Sequence, residues 1–201
     1  PAATQRVRDT TEQTRMCVRR WSAAPGGFSP RERPRAHLVC NHPAHPAGPA
    51  RSALHQLIQV WQPRRVAGLT VVSPFVGQQT NGEDCVLDTL EELAFARDAQ
   101  GWLVVPESPA PESAKRRIVA VPRQFGQCWK KRFGENSYVV PVPLWVPDVD
   151  ERPRYLHAKA ILIEGDMHDL LMSGSSNFTP HGMGIGVFNC EANIALEYKA
   201  E

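Results

Sequence analysis

The chain has 201 residues, 42% hydrophobic and 22% charged, which fits one folded domain with or without a tail and excludes wholesale disorder. No apolar run approaches the roughly 18 residues of a spanning helix, and the opening Pro1-Ala2-Ala3-Thr4-Gln5-Arg6 lacks the apolar stretch of a signal peptide. The net charge of +2 hides an asymmetry: residues 1–65 hold 11 arginines against Asp9, Glu12 and Glu32, a balance of +8, while residues 66–201 balance at −6.

A basic front end can meet phosphates, but a charge excess alone specifies no partner. Arginine makes up 18 of the 23 cationic residues, and a solvated Arg-rich segment is the plainer reading. The cysteines, Cys17, Cys40, Cys85, Cys128 and Cys190, are odd in number and widely spaced, with no CxxC. That pattern fits reduced thiols and a cytoplasmic location better than a disulfide framework. The start at Pro1 rather than Met gives the expectation of a piece of a longer protein.

Residues 1–48 are rich in Pro, Arg and Gly, and are expected to be an irregular segment or a linker from an upstream half. Only 15–18 and 36–40 read as short strands. From residue 49 the pattern sharpens into the expected domain, 49–201. Leu54, Leu57, Ile58 and Trp61 fall at i, i+3, i+4 and i+7 and predict a helix, with Arg64-Arg65 where cations favour its C-terminus. Residues 66–72 read as a buried strand stopped by Ser73-Pro74. Asn81-Gly82 is a turn. A second helix is expected over 85–97, with Val86, Leu90, Leu93 and Ala94 inward. Strands follow at 102–105, 117–121 and 137–140. Helices alternating with short apolar strands predict an α/β fold with a mixed, largely parallel sheet flanked by helices. There is no internal repeat.

The chemistry concentrates in 155–198. Residues 155–164 form a strand-like run, so His157 and Lys159, two apart, share a face. A neutral imidazole can be a nucleophile or proton carrier, and the ammonium beside it can hold an anionic oxygen. Glu164 has the opposite parity and is expected to point elsewhere. After a Gly165-Asp166 turn, the strand 168–172 ends in Ser173-Gly174-Ser175-Ser176-Asn177-Phe178-Thr179, a stretch that can bend tightly and offer N–H, hydroxyl and amide donors to an anion. A last strand carries Glu191 near its start. Histidine, lysine, donor-rich loop and carboxylate make a plausible site for attack on a phosphoryl group.

His157-x-Lys159, then Glu164, then Gly174-Ser175-x-Asn177 and Asn189-x-Glu191, closely resembles the HKD motif of the phospholipase D superfamily: HxK, four residues, Asp, and GSxN further on. The resemblance implies a phospholipase D-like sandwich and a phosphodiesterase that uses no metal or other cofactor. Two such motifs meet in one site; one histidine forms a phosphohistidine, and the other protonates the leaving group and then activates water. It implies His157 as one of that pair, Lys159 and Asn177 on the non-bridging oxygens, and Gly174 and Ser175 as support for the phosphate-binding loop. Glu191 would accept a hydrogen bond from an active-site histidine.

This chain departs from the family pattern twice. Glu164 stands where the family has Asp, a structural position. The chain also holds a single HxK, since His37, His42, His45, His55, His168 and His181 have no Lys two positions on. The second half is expected from an upstream domain, making this the C-terminal half of a two-motif protein, or else from a homodimer partner.

Other motifs are weaker. His37-x-x-Cys40-x-His42-x-x-His45 has the residue types of a zinc site, but its spacings match no ligand pattern and prolines make it loop-like. Lys115-Arg116-Arg117, and Lys130-Lys131-Arg132 with Trp129, could meet a nucleic acid; solvated turns and a core Trp129 explain them equally well. Met172 and Phe178 read as core. The expected function is a phosphodiesterase acting on DNA or RNA, as a nuclease or in DNA-end processing. The alternatives are a phospholipid phosphodiesterase and a non-catalytic phosphate- or nucleic-acid-binding module of the same fold.

Overall fold

The computed structural model describes residues 34–41, 52–62, 64–77, 86–108, 118–119, 121–142, 157–185 and 189–199. All but Pro34 fall in one compact unit, Arg35–Glu201. The strand expected at 15–18, the Asn81-Gly82 turn, Cys17, Cys85, and Lys115 to Arg117 lie outside the described residues.

The strands are β1 (Arg35–Asn41), β2 (Arg65–Val72), β3 (Ala94–Ser108), β4 (Ile118–Val119), β5 (Ser137–Val142), β6 (Ala160–Glu164), β7 (His168–Gly174) and β8 (Glu191–Lys199). The helices are α1 (Ala53–Trp61), α2 (Val86–Thr89), α3 (Arg123–Phe133) and α4 (Pro180–Met183). The sheet runs β1-β8-β7-β6-β2-β3, with β4 and β5 both on β3. It is mixed, as expected, but only partly parallel. β2 with β3 and β3 with β5 are parallel; the β1, β8, β7, β6 and β2 ladder is antiparallel throughout. A short connection explains one of these pairs: Gly165–Met167 joins β6 to β7, which allows only a hairpin.

Alternation along the strands defines one covered face. Val39, Leu69, Val71, Leu103, Ile161, Ile163, Leu170, Met172 and Ala195 are each at most 2% exposed, as period-2 burial requires. α1 packs against β1 and β8, and α3 against β3 and β5. The α1 pattern was legible: Leu54, Leu57, Ile58 and Trp61 are all buried. Ser52 caps it, its Oγ accepting the His55 N–H at 3.3 Å and donating to Met183 O at 2.8 Å. Arg64 closes the helix end through its backbone, giving its N–H to Trp61 O at 3.3 Å. Its guanidinium reaches Glu197 at 2.6 Å, a buried carboxylate on β8, and stacks on Trp61.

Two expectations fail locally. The helix expected over 85–97 stops early: Val86–Thr89 is helical, Leu90–Glu92 is a 3-10 turn, and Leu93 is already extended. Ala94 onward is taken by β2, with Val66 paired to Phe95, so strand pairing overrides the helical periodicity. Conversely, α3 was not expected. Phe125, Trp129 and Phe133, at i, i+4 and i+8, are its buried stripe, which makes Trp129 core and leaves Lys130 and Lys131 on the exposed last turn.

Candidate active site

Register brings the informative residues to one sheet edge. Ala160, the first residue of β6, pairs with Val72 at the end of β2 and with Ser173 near the end of β7. Ser173 in turn pairs with Ile194, and Gly174 with Asn193, near the start of β8. Parallel β2 and β3 run toward this edge, since Val72 pairs with Val104. Loops at the carboxyl ends of parallel strands are where α/β sheets bind ligands.

His157 and Lys159 lead into β6 here. His157 is exposed, while Lys159 is 8% exposed. Lys159 Nζ lies 3.3 Å from His157 Nε2 and donates to the His157 carbonyl oxygen at 3.0 Å. An ammonium is donor-only, so a hydrogen bond across this contact requires the Nε2 lone pair. The backbone of Lys159 is bound from β7: its carbonyl accepts the Ser173 hydroxyl at 3.2 Å and the Gly174 N–H at 3.4 Å.

The loop after β7 is tied down at each residue. Ser175 donates its N–H to Ala192 O at 3.1 Å, and its Oγ accepts the Ala192 N–H at 3.0 Å. Gly174 has no room for a side chain, because a Cβ would stand 2.5 Å from Asn193 Oδ1. Ser176 is held by Asn193, whose Oδ1 accepts the Ser176 N–H at 3.1 Å and whose Nδ2 donates to Ser176 Oγ at 2.8 Å and to Val39 O at 3.2 Å. Phe178 gives its N–H to Ser73 Oγ at 3.0 Å, and its ring meets Phe125 of α3 edge-on.

Asn177 thus sits between two anchored neighbours. Its carbonyl accepts the Thr179 N–H at 2.8 Å. Its Oδ1 is buried with no hydrogen-bond partner among the described residues, so this amide is the polar group of the loop whose bonding the fold leaves incomplete. α4 lies directly beneath: a Cβ on Gly182 would meet the Asn177 backbone, and Asn41 Nδ2 donates to Gly182 O at 2.7 Å.

Glu191 is at the start of β8, opposite Asn41. The hydrogen bond it accepts comes from Asn189 Nδ2 at 3.3 Å, not from His157. Glu164 ends β6 and is away from this edge. Its carboxylate lies against Gly68, and its cross-strand partner is Asp169. Burial and then the Asp169 charge push its carboxyl above the ordinary range; burial likewise raises Asp169. Of the histidine-cysteine cluster, His37 faces Glu197 at 3.7 Å, and His37 and Cys40 have opposite parity on β1. His42 and His45 lie outside the described residues. Sequence reasoning missed the roles of Ser73, Gly182 and Asn193. Asn193 did leave a signal, a polar side chain at a buried parity position of an apolar strand.

No protein-family model matches the sequence, and no curated protein matches it significantly. Among solved structures the chain is similar to the yeast tyrosyl-DNA phosphodiesterase, at 11% identity and a TM-score of 0.41, over 81% of this chain and 32% of that one. It is similar to NucT from Helicobacter pylori, at 12% identity and a TM-score of 0.43, over 81% and 85% of the two chains. A third likeness is to the polyphosphate kinase from Porphyromonas gingivalis, at 11% identity and a TM-score of 0.45, over 80% and 23%. The chain spans about a third of the yeast enzyme's length. No helix among the described residues is long and apolar enough to cross a membrane.

Proposed function

We propose that this chain carries one half-site of a phospholipase D-type phosphodiesterase, acting on nucleic acid through a phosphohistidine on His157. The observation that carries the reading is the pairing of an exposed imidazole with a buried ammonium, His157 Nε2 at 3.3 Å from Lys159 Nζ, with the Lys159 backbone bonded to the start of the loop that bears Asn177.

In this reading Nε2 attacks phosphorus, the P–N bond forms, and the P–O bond to the leaving oxygen breaks with its electron pair. A second histidine, from an upstream half or a second copy, gives that oxygen its proton. It then takes a proton from water, whose oxygen attacks phosphorus and returns the P–N electron pair to Nε2. Lys159 and the Asn177 amide stabilise charge on the non-bridging oxygens, and Lys159 is the cation of this half-site. Gly174 and Ser175 keep the loop close to the Lys159 backbone and to β8. Glu191, held by Asn189, orients a histidine of the assembled site. Nucleic acid is favoured as substrate by the 11 arginines of residues 1–65.

Trapping the intermediate tests the reading. A phosphorus-labelled oligonucleotide is mixed with the protein and quenched in base, which preserves a phosphoramidate. Label on the peptide containing His157, lost in His157→Ala, is expected. Label on another residue, or binding with no label and no turnover, contradicts it.

A further inference from the structure

Phe75 is the one aromatic side chain among the described residues that the fold leaves on the surface, 61% exposed. We propose that Phe75 is the site's stacking platform, taking the face of an unpaired nucleobase next to the scissile phosphodiester. The inference rests on the phosphodiesterase reading and narrows its substrate to a single-stranded nucleic acid.

Its position carries the argument. β2 delivers the segment to the edge where Val72 pairs with Ala160, directly after His157 and Lys159. The segment is stapled to the loop that bears Asn177. Ser73 Oγ donates to Phe75 O at 2.6 Å while accepting the Phe178 N–H at 3.0 Å. Val76 bridges to Phe178, and Gly77 donates its N–H to Phe178 O at 2.9 Å. Ser73 also gives its own N–H to Val104 O at 3.1 Å. Pro74 fixes one backbone angle just before Phe75. Ser73, Val76 and Gly77 are buried, so the ring rises from a seated backbone.

The chemistry follows. A lysine and an amide read a phosphodiester but not what it is attached to. An aromatic ring on a fixed backbone loses little freedom on binding, and base–aromatic stacking accepts any base. It needs an unstacked base, which a single strand offers and a duplex does not. A membrane anchor, by contrast, needs an apolar cluster, and Phe75 is the one exposed large hydrophobic within the described stretch 64–77.

The test uses the full chain with an oligothymidylate, an abasic oligomer of equal phosphate number, and phosphatidylcholine vesicles. Phe75→Ala is expected to weaken oligothymidylate binding about tenfold or more, to leave abasic binding unchanged, and to be rescued by Phe75→Trp. Equal loss on both oligomers, or no loss on either, overturns the inference. So does a loss confined to vesicle binding. Failure of the wild type to bind oligothymidylate also overturns it. Hydrolysis of bis(4-nitrophenyl) phosphate, tested against His157→Ala, then shows whether the phosphodiesterase reading stands without it.

Discussion

Asn193 grips Ser176 with both ends of its amide, accepting the Ser176 N–H at 3.1 Å and donating to Ser176 Oγ at 2.8 Å. The same amide donates to Val39 O, so one side chain, 2% exposed, joins the Gly174–Phe178 loop to β1. Asn193→Ala strands a buried N–H and a buried carbonyl. The expected cost is on the order of 3 kcal/mol, or roughly 10 °C in melting temperature, read by thermal unfolding. A shift under about 2 °C would show that the loop holds without the amide.

Lys159 supplies the fixed positive charge of the proposed half-site, 3.3 Å from His157 Nε2. Lys159→Met keeps most of the buried stem and removes the charge. Hydrolysis is expected to fall about 100- to 1,000-fold, with kcat carrying the loss. A change in KM alone would mean that the ammonium binds substrate without stabilising the transition state.

Gly182 supports Asn177 from below, and a Cβ there would stand 2.9 Å from the Asn177 nitrogen and overlap its carbonyl. Gly182→Ala is expected to displace Asn177 and cut turnover about tenfold or more. Gly126→Ala is the matched control, since a Cβ there meets nothing nearer than 3.8 Å. It lies within α3 and is expected to stabilise by about 0.5–1 kcal/mol with activity intact. Equal activity in both variants would remove Gly182 from the positioning of the loop.

Glu164 gives a pH signature. Burial and the neighbouring Asp169 raise its carboxyl pKa in the folded state. The folded protein therefore keeps this proton at pH values where the unfolded chain has lost it. The stability so contributed is present at low pH and is lost as pH rises through the raised value. Glu164→Gln should flatten that decline and raise the melting temperature at neutral pH by roughly a few degrees. A lower midpoint in the variant at neutral pH would contradict this account of the pair.

The readable parts of the sequence were those where local geometry decides. Period-2 spacing placed His157 and Lys159 together, and the i, i+3, i+4, i+7 stripe of α1 and the hairpin from β6 to β7 were equally local. What stayed hidden depends on partners distant in sequence. Ala94 and Phe95 continue a helical pattern yet pair with β2. The α3 stripe is diluted by Gly126 and the polar residues between its aromatics. Asn193 matters because Ser176 and Val39 come to it, and the Glu164–Asp169 contact exists only once the hairpin register is set.

Hydrolysis of bis(4-nitrophenyl) phosphate in EDTA, wild type beside His157→Ala, tests the central claim most directly. With both half-sites present, turnover is expected to persist in the chelator and to fall at least about a thousandfold in the variant. Turnover that survives the substitution, or that requires a divalent cation, would contradict it.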